Sequence, residues 1–400
     1  MTALVLRQFT ATSCIGRGLG ATLESLRAQR SGLAPCAFET VDLETHIGEV
    51  PGVDDVQLPA PLQRFNCRNN RLAQLGMAED GFEEAVAASA GRWGRRRVGL
   101  FLGTSTSGML ETEIAYRQRD PQTGALPAGF DYAGTHNTYS LAAYVHEVLG
   151  LEGPSAVVSS ACSSSAKVFG SARRMIAAGL IDAAVVGGVD SLCLTTLYGF
   201  HSLQLVSRGP CRPFDIGRDG ISIGEAAAFA LIERAPDSLD GDAVLLLGVG
   251  ESSDAYHMSS PHPEGRGAQA AMLQALGGAG LTAEDIDYIN LHGTGTPSND
   301  SAEGKAVAAV FAERERAVAA SSTKGATGHA LGAAGALEAV ICALALRHGL
   351  LPGSANTRQV APSLGFEYLC ANRERPIARA LSNSFGFGGS NCTLVLGRAG

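Results

Sequence analysis

The chain is poor in charge: 18% of its 400 residues are Asp, Glu, Lys or Arg, and acids outnumber bases to leave a net charge of −8. Phosphate binding calls for a concentrated basic face, so nucleic acid is not an expected partner. No uninterrupted apolar stretch approaches the roughly 18 residues of a membrane span. The start, Met1-Thr2-Ala3-Leu4-Val5-Leu6-Arg7, lacks the basic segment, long apolar region and cleavage site of a secretory signal. Nine cysteines are present, an odd number without CxxC pairs or regular spacing, which argues against a disulfide framework and a structural zinc site. A reducing cytoplasmic setting with no membrane partner is expected. Neither GxxxxGK[ST] nor a strand-linked GxGxxG occurs, so a phosphate cradle is not expected either.

What the chain does have is glycine, 50 residues of it, beside 45% hydrophobic content. This describes a loop-rich globular protein large enough for one double-sized or two ordinary cores. Strand-like apolar runs at 98–102, 156–159, 183–186, 226–232, 244–249, 286–291, 317–321 and 393–396 alternate with helix-like runs, which predicts an α/β fold with largely parallel sheets. The polar stretch 234–242, with Pro236 and Gly241, divides the chain into halves 1–240 and 241–400. The halves echo each other. In the first, a strand runs into a turn around Cys162 and a small-residue helix; in the second, 317–321 runs into a glycine-rich turn ending at His329 and a helix over 330–347. Residues 120–131, with two prolines and two glycines, read as a surface loop.

Chemistry concentrates at three junctions. Cys162, in Ser159-Ser160-Ala161-Cys162-Ser163-Ser164-Ser165, lies where a strand meets a helix. Unpaired amides and the helix dipole there favour a thiolate, which would make Cys162 a pre-activated nucleophile, although a buried cysteine is also an ordinary small hydrophobe. His292 opens the bend Gly293-Thr294-Gly295-Thr296-Pro297 at a strand's C-terminal end, where α/β proteins place ligands. His329 stands at a loop-to-helix junction after Lys324. The other seven histidines have weaker local arguments and read as structural or solvated. A glycine loop, Asn383 to Asn391, precedes the last strand and can offer backbone N–H groups to an oxyanion.

Six ordered motifs then add up to a resemblance. They are the Cys162 turn; Arg212-Pro213-Phe214-Asp215 with Arg218-Asp219-Gly220 and Gly224-Glu225; Ser253-Asp254-Ala255-Tyr256-His257-Met258; His292-Gly293-Thr294-Gly295-Thr296-Pro297; residues 324–338; and Phe385-Gly386-Phe387-Gly388-Gly389. The chain resembles the elongating β-ketoacyl-[acyl-carrier-protein] synthases of the thiolase-like superfamily over nearly its whole length.

The resemblance implies two pseudo-equivalent α/β halves in a five-layer α-β-α-β-α core, usually as a homodimer. It implies that Cys162 takes an acyl group from a carrier protein and that the N–H groups of Cys162 and Phe387 hold the oxyanion. His292 and His329 would stabilise the enolate left when malonyl-carrier protein loses carbon dioxide. Lys324 would organise the site with Glu338 as its buried carboxylate partner. No intrinsic cofactor or catalytic metal is implied; phosphopantetheine arrives on the acyl carrier protein, with Thr294 and Thr296 bonding its amides. Asn290, Glu338 and Asn383 match positions that hold a structural monovalent cation in some relatives. Thr106, Met109, Ile221, Ser259 and Gly388 are expected to touch substrate. Arg64, Arg68 and Arg71, spaced on one helical face, form the expected carrier-docking cluster, Arg64 matching a family docking position.

Departures from the pattern carry expectations too. Ile221 replaces a common phenylalanine and Lys167 a frequent histidine, changes that would reshape the acyl cavity or helix packing. Small polar residues at 103–109 suggest a pocket suited to an unsaturated or aryl-started polyene. A degradative thiolase would need a second catalytic cysteine near the C-terminus, where Cys392 instead precedes an apolar strand. A chain-length factor, the catalytically silent homologue, typically lacks the nucleophile; it remains a possible heterodimer partner.

Overall fold

The computed structural model describes residues 3–399 apart from Ala361 and Ser363. All eight expected strand regions form strands, joined in one hydrogen-bonded path. From one edge it runs Ser155–Val158, Val98–Gly103, Ala183–Asp190, Ala226–Arg234 and Leu4–Ser13, with pairings parallel, parallel, antiparallel and antiparallel. Val244–Ser253 follows, paired antiparallel to Leu4–Ser13 through Leu4, Val5 and Leu6. Beyond it come Ser390–Arg398, Arg379–Gly386, Tyr288–Asn290, Ala319–Ser321 and the short Glu367–Tyr368. Read from Ala319–Ser321 back to Val244–Ser253, the second half repeats the first half's order of pairings. Ser155–Val158 and Ala319–Ser321 are therefore equivalent strands, and the Cys162 and His329 turns follow equivalent strand ends.

Two strands were not legible beforehand. Leu4–Ser13 lies at the seam of the halves. Arg379–Gly386 contains Ser382-Asn383-Ser384, all buried, and bonds to strands on both sides. The expected glycine loop therefore shrinks to a single turn, Phe387–Gly389, between two strands.

Helices cover both faces, which is why strands such as Ala183–Asp190 are buried at every position. Ser164–Ala177 and Ala334–His348 pack together in the middle layer, the latter also against strands of both halves. Small residues permit this closeness: a Cβ on Gly335 would sit 2.7 Å from the Cβ of Ala166. Arg68–Met77 and Phe82–Trp93 cover the outer face of the first half, and Arg266–Ala279 and Pro297–Val310 that of the second. The stretch Leu331–His348 is long and apolar enough by composition to cross a bilayer, but 89% of it is buried as the core helix of this layer. Residues 120–131 form the exposed loop expected, closed by Asp120 N–H on Ala125 O at 2.8 Å.

Candidate active site

The turn after Ser155–Val158 holds Ala161 at φ +52°, an uncommon conformation for a residue with a Cβ, and presents Cys162 just before helix Ser164–Ala177. From the equivalent turn of the other half, His329 reaches across with Nε2 3.1 Å from Cys162 Sγ. Its backbone is clamped by two bonds to the central segment: His329 N–H donates to Ser222 O at 2.7 Å and Gly224 N–H to His329 O at 3.0 Å. His292 completes the group, its ring edge-on to that of His329 with centroids 5.2 Å apart. All three side chains are buried and line one narrow cavity of about 60 Å³ that is also lined by Thr294, Thr296, Ser259, Ile221 and Phe387.

Lys324 lies behind His292. Its buried ammonium donates to His292 O at 2.6 Å, stands 3.4 Å from His292 Nδ1, and is ion-paired with Glu338. The contact on Nδ1 leaves Nε2 as the nitrogen of His292 facing the cavity. Burial first, and then the Lys324 charge, hold both histidines well below the usual imidazole range, so both are neutral. The thiol behaves differently from the expectation. Burial pushes Cys162 up to about 12, outweighing the downward pull of Lys324 and of the Phe387 N–H, so the resting form is a thiol beside His329 rather than a pre-formed thiolate.

Two carboxylates that sequence reasoning missed hold this arrangement. Glu303, buried on helix Pro297–Val310, accepts His292 N–H at 2.8 Å and Gly293 N–H at 2.7 Å, and also Asn383 Nδ2 at 3.2 Å. Its place on the buried face of a helix just after the His292 bend is a signal the sequence offered. Asp190, at the end of Ala183–Asp190, accepts the Thr104 hydroxyl at 2.7 Å, the Thr106 hydroxyl and N–H at 2.9 Å, and Gly332 N–H at 2.5 Å. It thereby ties the 104–106 loop to the turn just beyond His329.

Several expectations need correcting. Thr106 gives its hydroxyl to Asp190, as Thr104 does, and is not among the residues that line this cavity. Met109 is also outside the lining, packed in the apolar cluster that includes Ile221 and Leu110. Gly388, at φ +77°, turns its N–H onto Met258 O at 2.7 Å, away from the cavity. Thr294 and Thr296 do line it, their hydroxyls 2.9 Å apart, with Thr296 also capping helix Pro297–Val310. The arginine cluster dissolves. Arg64 is in the turn Ala60–Phe65, exposed and paired with Glu147. Arg68 begins the next helix and is 2% exposed, its guanidinium on Glu225, Asp54 and Glu49. Arg71 is largely covered and bonded to Asp54. Arg68 cannot meet a docking partner, because its charge is consumed in holding the 49–54 segment against Glu225. Of the cation candidates, Oδ1 of buried Asn290 and Oε2 of Glu338 have no hydrogen-bond partner among the described residues and are oxygen donors of the kind such an ion takes, whereas Asn383 is committed to Glu303 and Thr393.

A buried thiol facing two neutral imidazoles, on a duplicated α/β scaffold of this topology, defines a thiolase-like acyl-transfer site. The chain belongs to the β-ketoacyl synthase family: its N-terminal domain matches over residues 70–238 and its C-terminal domain over 243–358. The chain is 32% identical to 3-oxoacyl-[acyl-carrier-protein] synthase 2 of Coxiella burnetii, with 99% of this chain and 98% of that one covered. It is 37% identical to nodulation protein E of Rhizobium meliloti across 75% of each chain. Among solved structures it superposes, with a TM-score of 0.87 and 36% identity, on a ketosynthase from Xenorhabdus doucetiae in complex with its chain length factor, covering 100% of this chain and 98% of that one.

Proposed function

We propose that the protein is a 3-oxoacyl-[acyl-carrier-protein] synthase, which joins malonyl-carrier protein, with loss of carbon dioxide, to an acyl group held on Cys162. The observation that carries this is the 3.1 Å contact of His329 Nε2 with Cys162 Sγ in a cavity shared with His292. As the thiol attacks an acyl thioester, its proton has His329 Nε2 as the nearest acceptor, and the acyl group passes from pantetheine sulfur to Cys162. Oxyanion charge develops beside the N–H groups of Cys162 and Phe387. In the second half-reaction His292 presents Nε2–H to the malonyl thioester oxygen. The Lys324 ammonium against Nδ1 keeps the ring proton on the cavity side. Thr294 and Thr296 supply hydroxyls to the pantetheine amides, and Oδ1 of Asn290 and Oε2 of Glu338 suit a structural monovalent cation.

The experiment is intact mass spectrometry after incubation with acyl-carrier proteins bearing different chains. An acyl adduct on the wild type that disappears in Cys162→Ala supports the reading; no adduct with any donor overturns it. A second reading, a ketosynthase subunit of a specialised polyene or polyketide pathway working with a chain-length-factor partner, is favoured by the likeness to the Xenorhabdus ketosynthase. The sheet ends on Ser155–Val158, half-buried at all four positions, with Tyr132 and Tyr139 exposed nearby. An unpaired apolar edge of this kind suits a second subunit, whether a copy or a homologue. Light scattering on the protein alone, and co-expressed with such a homologue, separates the two. Of the localisation expected, a cytoplasmic setting accords with carrier-bound substrates and free cysteines.

A further inference from the structure

We propose that Cys162, His292 and His329 form a reversible capture site for a thiophilic divalent cation, Zn²⁺ foremost, which blocks acyl transfer when filled. The inference rests on the geometry of the cluster; only its inhibitory consequence depends on the ketosynthase reading. Sγ of Cys162 and one ring nitrogen from each histidine all lie within 4.8 Å of one another. The Cys162–His329 edge is 3.1 Å, and the two rings meet edge-on at 82° instead of stacking. Tetrahedral zinc takes bonds of about 2.3 Å to sulfur and about 2.0 Å to imidazole nitrogen, so one ion would draw these three neighbouring donors together. One thiolate and two imidazoles are ligands that select zinc over magnesium or calcium. All three side chains line the cavity, through which an ion would enter and a water or chelator would reach it as a fourth ligand.

Binding breaks the Cys162 S–H bond, releases that proton to solvent and forms a Zn–S bond; nothing is oxidised or reduced. Outer contacts make this a trap rather than a resident metal site. Zinc-binding histidines normally pass their second N–H to a carboxylate or carbonyl. His329 Nδ1 has no such partner among the described residues, and His292 Nδ1 faces the Lys324 ammonium at 3.4 Å, which opposes both the required ring proton and the cation.

The test is direct binding on the chelator-treated protein. Titration with Co²⁺ should give one equivalent with a thiolate-to-cobalt charge-transfer band, displaced by Zn²⁺. A chromophoric chelator competing for Zn²⁺ should report affinity falling by about tenfold or more in Cys162→Ala and His329→Ala. Wild-type protein alkylated at Cys162, which keeps its fold, should lose the band as well. Absence of the band, or its persistence unchanged in the alkylated protein and in Cys162→Ala, overturns the proposal. A protein that accepts no acyl group yet gives the Cys162-dependent band would sink the function and leave the metal site standing.

Discussion

Replacing Arg68 with methionine should destabilise the fold by about 3–5 kcal/mol, the cost typical of breaking one side of a buried ion pair, while leaving carrier recognition untouched. The cost sits on Glu225. That carboxylate is fully buried and accepts Arg68 Nε at 2.9 Å and Nη2 at 2.7 Å. Without the guanidinium it keeps only Val50 N–H and Leu192 N–H, each at 2.9 Å, to stabilise a full charge. Asp54 and Glu49 are 68% and 44% exposed and return to water, so their loss adds little. Unfolding entropy of about 2.1 cal/mol/K per residue over the chain gives roughly 0.8 kcal/mol/K, so the expected fall in Tm is about 4–6 °C. Thermal unfolding followed by circular dichroism measures it, with KM for acyl carrier protein as the second readout. The double variant Arg68→Met/Glu225→Leu should recover part of the loss, because it removes both charges together. An unchanged Tm with a several-fold higher KM would refute the reasoning and return Arg68 to the docking surface.

Arg64→Glu should instead raise KM for carrier protein without moving KM for small thioesters; equal effects on both would remove Arg64 from docking. Burial holds the Glu303 carboxyl up at about 7, above the 4.5 of an ordinary glutamate, so its titration favours the fold below pH 4.5 and that contribution is lost as pH rises through 7. Glu303→Gln, which does not titrate, should therefore lie furthest below the wild type in Tm at low pH, with the gap narrowing between pH 4.5 and 7; a constant gap would be the contrary result. A Cβ at Gly332 would sit 2.7 Å from Asp190 Oδ2 and 2.9 Å from Ser105 N. Gly332→Ala should thus displace the turn behind His329 and slow malonyl decarboxylation by about a hundredfold, with Cys162 still alkylated by a small reagent. Full decarboxylation by the variant would show that the Asp190 network does not position His329.

The three residues that meet in the cavity were legible because they sit where local sequence announces itself. Cys162, His292 and His329 each stand at the end of an apolar run beside glycine or serine, and a strand end in an α/β fold is where ligands go. What failed were readings of a local segment whose side chains answer to a partner far along the chain. Three arginines at helical spacing look alike, yet Arg68 faces inward because Glu225, 157 residues later, waits there. The hydroxyls of 104–106 look like a pocket until Asp190, more than 80 residues on, is seen to collect them. Ser382-Asn383-Ser384 reads as loop because it is polar, yet it is a buried strand segment whose Asn383 amide is answered from other segments, by Glu303 and Thr393. The thiol follows the same rule. The helix start expected to favour a thiolate is local, whereas the burial that raises the thiol comes from segments of both halves that meet around Cys162: Phe200, Leu205 and Ile221 from one and His292 and His329 from the other. On the proposed function, activation of the thiol is therefore a property of the two halves together, because the acceptor nearest its proton, His329 Nε2, is supplied by the second half.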